Sequence, residues 1–145
     1  LIGIGDAIAS LISPENYQTD VLPYTQRLVK TLQEQGVKVK YHICGDATHL
    51  LPQIKELGVD LINVDSKVDL AQARSILSQV CLKGNLDPTA VMLQGTEEEV
   101  FAAAKKAIAV GGRGYILSPG CELPKDVPHE NFKALIKAAK EIPQE

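Results

Sequence analysis

No block of lysine or arginine stands anywhere in this chain, and that absence removes the simplest route to a phosphate backbone. Fifteen basic residues against eighteen acidic ones leave a formal charge of -3 over 145 residues. Nucleic acid is therefore not an expected partner. No apolar run approaches the length of a membrane span, and no charged-then-apolar segment resembles a signal peptide, so no membrane partner is expected either. Cysteine is scarce: Cys44, Cys81 and Cys121 are odd in number and far apart. This argues against a disulfide framework and for a reducing, cytoplasmic setting. A Gly-rich phosphate loop after the first apolar run is missing as well, Gly3-Ile4-Gly5 being too short a match to carry weight. Nor does any low-complexity linker or shift in composition mark a domain boundary.

What is present is a rhythm. Leu1 to Gly5, Val37 to Cys44, Val59 to Asp65, Val80 to Leu86 and Gly114 to Ser118 read as short apolar strands. Helical patterns separate them. Ser13-Pro14-Glu15 is a helix start with a Ser cap and Pro in the first turn, and that helix runs to about Gln35 with Pro23 dividing it and Gly36 stopping it. Thr48 to Leu57 is closed by Gly58, and Asp69 caps Leu70 to Gln79. Thr96-Glu97-Glu98-Glu99 is a capping-box start for a helix to Val110, and Glu130 to Glu141 forms the last helix. The repeat interval, roughly 25 to 35 residues, is that of a βαβ unit. An α/β chain of parallel strands covered by helices follows.

Two architectures accept five such units: an open doubly wound sheet, or part of a (β/α)8 barrel. Length favours the first. The strand ends favour the second, because polar or metal-capable residues close every strand: Asp6, His42 with Cys44, Asp65, Asn85 with Asp87, and Cys121 just beyond the fifth. A barrel gathers such ends at one mouth, so the expected fold is five βα units of a (β/α)8 TIM barrel. The first strand starts abruptly, as if cut from something longer. Five strands of a barrel would also leave unpaired edges, so a fragment, a pairing homodimer, or cover by the remainder of the barrel is expected.

Within V-K-V-K-Y-H-I-C-G-D, side chains two apart along an extended segment point the same way, so His42 and Cys44 share a side. Cys121, in S-P-G-C-E-L-P after the last strand, can join them only if the fold unites the strand ends. One imidazole and two thiolates would supply three zinc ligands and leave a fourth position open, where a thiol would be held as a thiolate. From the residues alone an equal alternative stands: two small buried thiols and a hydrogen-bonded core histidine. Cys81 opens a strand instead of closing one and reads as packing. His49 and His129 read as surface or capping residues.

Asp6 with Leu11-Ile12-Ser13-Pro14, Pro23-Tyr24, His42-Ile43-Cys44-Gly45, Gly84-Asn85-Leu86-Asp87-Pro88, and Gly120-Cys121 leading to Val127-Pro128-His129-Glu130-Asn131 resemble the uroporphyrinogen decarboxylase superfamily. The resemblance spans nearly all of the chain but only the C-terminal part of that family's barrel, which sets the expected domain as residues 1–145. The superfamily holds metal-free decarboxylases and zinc-dependent methyltransferases that pass a methyl group between a corrinoid and a thiol such as coenzyme M. Decarboxylases carry Gly-His where this chain has Gly120-Cys121, whereas the methyltransferases carry His-x-Cys and a distant Cys. The resemblance thus implies zinc on His42, Cys44 and Cys121, and a thiolate attacking the methyl carbon of a methylcorrinoid carried by a corrinoid protein. It also implies Asp6 as the catalytic carboxylate, with Asp46, Asn85, Asp87 and Glu122 as orienting groups, Asn85 and Asp87 on the cofactor side. A uroporphyrinogen decarboxylase using Asp6, and a non-catalytic corrinoid-partner domain, are the alternatives.

Overall fold

The computed structural model describes residues 1–142. Five parallel strands form one sheet: β1 (Ile2–Asp6), β2 (Val39–Ile43), β3 (Leu61–Asn63), β4 (Cys81–Leu86) and β5 (Tyr115–Pro119). Their spatial order is their chain order, and each neighbouring pair is parallel. That order decides between the two architectures. A doubly wound sheet reverses direction at a switch point and needs helices on both faces, whereas crossovers that always step the same way put all helices on one face. The sheet is accordingly an arc of a TIM barrel, with an outer face under helices and an inner face without them.

Burial follows the arc. Along β2, Val39, Tyr41 and Ile43 are buried while Lys40 and His42 between them are half-buried; along β4, Leu82, Gly84 and Leu86 are buried and Cys81, Lys83 and Asn85 are not. Val39, Tyr41, Ile43 and Leu82 pack beneath the helices with Val29, Leu50, Leu77, Val100 and Ile108 as one core. On the inner face Ile116 is 44% exposed. Among the described residues no helix is long and apolar enough to cross a membrane.

The helices begin where the capping residues say they should. Ser13 Oγ accepts from Asn16 N at the start of α1 (Pro14–Asn16), and Asp69 accepts from Gln72 N at the start of α4 (Leu70–Ile76). Thr96 and Glu99 form both halves of a capping box on α5 (Glu97–Gly111). Pro23 acts through its missing N–H: α1 passes into a π-helical turn, Tyr17–Val21, before α2 (Leu22–Glu34) resumes the ordinary pitch. The helix read from Thr48 to Leu57 is a 3₁₀ turn, Thr48–Leu50, followed by α3 (Leu51–Glu56). Two segments outside the helices read from the sequence are also helical, a 3₁₀ turn at Ala9–Leu11 and a π-helical turn at Pro88–Leu93 capped by Asp87. The last helix, α6, is His129–Glu141.

Two polar clamps hold the helical layer to the sheet. Arg74 of α4 spreads its guanidinium over the carbonyls of Gly111 (2.9 Å), Val80 (3.1 Å) and Gly114 (3.3 Å), tying the end of α5 to the starts of β4 and β5. Asp60 accepts from Lys38 Nζ (2.8 Å), the Val39 amide (2.9 Å) and Gln33 Nε2 (3.1 Å), which joins α2 and β2 to the segment before β3. Lys38 above all, helped by these amides, holds the Asp60 carboxyl down at about 2. Its contribution to stability is therefore full above the ordinary carboxyl value and is lost as pH falls from about 4 toward 2. Because Lys38 is 75% exposed, the gain is about 1–2 kcal/mol after allowance for solvent screening. Asp60→Asn should lower unfolding free energy by that amount at pH 7, and the difference from the parent should shrink through this acid window in pH-dependent denaturant melts.

Candidate metal centre

His42 is the fourth residue of β2 and lies in register with Asn63 on β3. Its Nδ1 is 2.9 Å from the main-chain carbonyl of Asn63. A carbonyl only accepts, so this contact, shorter than the 3.3 Å from Asn63 Nδ2 to the same nitrogen, puts the proton on Nδ1 and the lone pair on Nε2. Two residues on, past the end of the strand, Cys44 turns its sulfur to that nitrogen at 3.3 Å. Cys121, two residues past β5, brings its sulfur to 3.5 Å from the same nitrogen and 3.6 Å from Cys44 Sγ. Among the described residues this is the group of three metal-capable side chains whose ligand atoms all lie within 4.8 Å of one another.

The donor set can be tested against a metal. Zinc with sulfur at roughly 2.3 Å and nitrogen at roughly 2.0–2.1 Å in a tetrahedron needs ligand edges of roughly 3.8 Å between sulfurs and roughly 3.5–3.6 Å from sulfur to nitrogen. The observed edges, 3.6, 3.5 and 3.3 Å, meet this with adjustments of a few tenths of an ångström. All three residues are half-buried, and the two cysteines are free thiols not bonded to each other. Burial, then the Cys121 thiol, then the carboxylates of Asp65 and Asp6 push the Cys44 thiol up to about 11. Without a cation Cys44 keeps its proton, and a bound cation would displace it.

The backbone around the site is pinned. Gly45 adopts φ +84°, the left-handed turn that glycine takes without strain, and its amide donates to the buried Asp65 Oδ2 at 2.9 Å. Asp65 Oδ1 accepts from Lys67 N, so one carboxylate joins the turn after β2 to the turn after β3. Gly120 donates its amide to the Leu86 carbonyl at 2.8 Å, and its own carbonyl accepts from Asn63 Nδ2 at 2.8 Å. A Cβ at Gly120 would collide with the main chain at Ser66 and Asp65. Cys121 is thus delivered by a segment that only glycine can thread.

The other sequence-named residues divide. Asp6 closes β1, accepting from the Tyr41 hydroxyl at 3.2 Å and from the Ala9 and Ile8 amides at 3.0 and 3.3 Å. Its register partner is Ile43, on the opposite side of the sheet from His42. Asn85 donates to the carbonyls of Val68 (2.7 Å) and Asp65 (3.3 Å), and Asp87 accepts from the Thr89 and Ala90 amides at 2.8 Å. Both line a cleft of about 560 Å³ with Lys67, Asp69 and Lys106, to which none of the three metal-capable residues contributes. Asp46 caps Thr48, and Glu122 is exposed. Cys81 stands at the start of β4, opposite Leu61, outside the metal group; His49 reaches the Ile12 carbonyl, and His129 is exposed at the first turn of α6. Asn63 was missed by sequence reasoning. Its signal was a polar residue inside the apolar strand V-D-L-I-N-V-D, two before Asp65 and hence on the same side.

Gly120→Ala should cost about 1–3 kcal/mol in denaturant melts because backbone has to move to admit a methyl. Gly5→Ala, where nothing lies within 4 Å of the added Cβ, should change stability by less than about 0.5 kcal/mol.

Comparison with known proteins agrees with this fold. The chain is 38% identical over 141 residues to the methylcobamide:CoM methyltransferase MtbA of Methanosarcina acetivorans, covering 96% of this chain and 41% of that protein. It is 35% identical over 138 residues to the methylated-thiol–coenzyme M methyltransferase of Methanosarcina mazei, covering 94% and 36%. It is also 35% identical over 146 residues to the uroporphyrinogen decarboxylase of Trichodesmium erythraeum, covering 98% and 40%. A solved methyltransferase from Methanosarcina mazei superposes with a TM-score of 0.87 at 27% identity, over 97% of this chain and 41% of that one. The chain therefore spans about two fifths of the length of these relatives. The profile of the uroporphyrinogen decarboxylase (URO-D) family matches residues 1–142, and the chain belongs to that family.

Proposed function

We propose that the complete protein is a zinc-dependent methyltransferase that moves a methyl group from a methylated corrinoid to a thiol such as coenzyme M. The observation that carries this reading is the triangle of His42 Nε2, Cys44 Sγ and Cys121 Sγ, three donors that would hold a zinc ion while leaving it open to a further ligand. Zinc bound there supplies the Lewis acidity that keeps a thiol as its thiolate at neutral pH. His42 contributes a neutral nitrogen because its other N–H is committed to Asn63. Cys44 and Cys121 contribute two negative charges, which lower the net positive charge of the centre and preserve the nucleophilicity of a third sulfur.

In this reading Asp6 is the catalytic carboxylate, fixed at the end of β1 by the Tyr41 hydroxyl and two amides. Asn85 and Asp87, beside the cleft at the end of β4, are assigned to the corrinoid side. The corrinoid arrives on a carrier protein in the cytoplasm, because methyl transfer needs sulfur and carbon close and in line. The bare inner face and the edges β1 and β5 are assigned to the remainder of a barrel or to a second copy. Likeness to uroporphyrinogen decarboxylases supports a second reading, in which Asp6 steadies the pyrroles of the substrate and no metal is required.

Zinc analysis of the complete protein with methylcobalamin and coenzyme M as substrates separates the readings. Stoichiometric zinc, and a fall of at least about 100-fold in metal affinity and methyl transfer in Cys121→Ser, are expected. Zinc retained in full by Cys121→Ser would remove that residue from the site. Decarboxylation of uroporphyrinogen by metal-free protein would select the second reading, and a zinc-loaded protein inert toward a panel of thiols would indicate a non-catalytic partner domain.

A further inference from the structure

The three metal-capable atoms come from two pieces of backbone, the end of β2 and the segment after β5, which are not neighbours in the sheet. Asn63, on β3 between them, touches both. Its main-chain carbonyl accepts from His42 Nδ1 at 2.9 Å, and its side-chain Nδ2 donates at 2.8 Å to the carbonyl of Gly120, the residue before Cys121. Asn63 is only 6% exposed, so its amide has no water to fall back on.

Which end of that amide faces Gly120 is decided by a fourth residue. Lys83 Nζ lies 2.7 Å from Asn63 Oδ1, and an ammonium can only donate. The oxygen must therefore face Lys83, which leaves the NH₂ group facing the Gly120 carbonyl. Lys83 is the register partner of Asn63 on β4 and projects from the same inner face as His42. The ion pairs of the described residues, Lys38–Asp60 and Lys133–Glu130, do not include it, so its charge is spent on orienting the amide.

We propose that Asn63, oriented by Lys83, is the positioning residue of the metal centre: it sets the distance between the His42 imidazole and the Gly120–Cys121 segment, and with it metal affinity. The proposal rests on the reading of His42, Cys44 and Cys121 as metal ligands. Asn63 touches ligand-bearing groups and no substrate, so its loss should appear in metal geometry before it appears in chemistry.

Cobalt(II) titration of the purified protein tests this, because thiolate-to-cobalt charge-transfer absorption counts bound sulfurs and the ligand-field bands report coordination geometry. The parent should bind with two thiolates. Asn63→Leu should bind about 10–100-fold more weakly with the Cys121 contribution reduced, and Asn63→Asp, which keeps the Lys83 contact but cannot donate to Gly120, should behave similarly. Lys83→Met should weaken binding by about 3–10-fold, and adding it to Asn63→Leu should cost nothing more, as expected of two residues acting through one contact. Circular dichroism of the metal-free proteins checks that each variant is folded. Parent-like affinity and spectra in Asn63→Leu and Lys83→Met overturn the proposal; if Asn63→Leu does not fold, parent-like behaviour of Lys83→Met alone overturns it. A parent that shows no thiolate band and no difference from Cys121→Ser overturns the metal reading and this proposal together, whereas binding by the parent that Cys121→Ser abolishes leaves the variants at Asn63 and Lys83 to decide this one.

Discussion

Cys44 and Cys121 are 77 positions apart and their sulfurs are 3.6 Å apart. No local preference achieves that. Parallel pairing does, because each strand must be followed by a helix that returns the chain to the starting edge, so every strand ends at the same rim. The monotonic order β1 to β5 adds a second constraint: helices gather on one face, and the other is free to carry polar groups toward a common centre. The site depends on this arrangement more than on any single contact. Where β2, β3 and β4 hold register, His42, Asn63 and Lys83 come into reach in turn, and Asn63 reaches on to the Gly120 carbonyl past the end of β5.

The polar inner face has an energetic consequence. Asn63 and Asp65 are both 6% exposed, and burying such groups is tolerable only when every donor and acceptor is matched. Here they are matched across strands: Asp65 to the turn after β2, Asn63 to β2, β4 and the end of β5. Bonds that satisfy a buried group and bonds that locate a ligand are therefore the same bonds. A cluster built this way holds its shape through its own hydrogen bonds, since those supports are needed for folding in any case.

Much of this was legible in the sequence. Ser13, Asp69, Thr96 and Glu99 mark helix starts by an oxygen that can accept from exposed amides, and that signal is local. The His42-x-Cys44 spacing put two donors on one side of a strand, also a local statement. The choice of a barrel arc over a doubly wound sheet came from counting polar strand ends, and the strand order bears it out. Less legible were features that need three-dimensional partners. The 3₁₀ turn at Ala9–Leu11 is held partly by the Asp6 carboxylate, and the π-helical turn at Pro88–Leu93 by Asp87; no periodicity announces either. Asn63 sat unremarked in an apolar run because its importance lies in what β2, β4 and the end of β5 present to it.

The π-helical turn Tyr17–Val21 carries a last implication. It fits one extra residue into a single widened turn, so that residue is absorbed there and the helix on either side keeps its facing. Tyr17 is wholly buried, and its hydroxyl meets that of Tyr41 at 3.0 Å, which in turn meets Asp6. The widened turn therefore takes up the extra residue while the Tyr17 phenol stays in the interior, against the Tyr41 hydroxyl that reaches the end of β1. The segment thus serves as a length buffer in the helix: Gln18, Thr19 and Asp20 face solvent and are open to change, whereas Tyr17 is not.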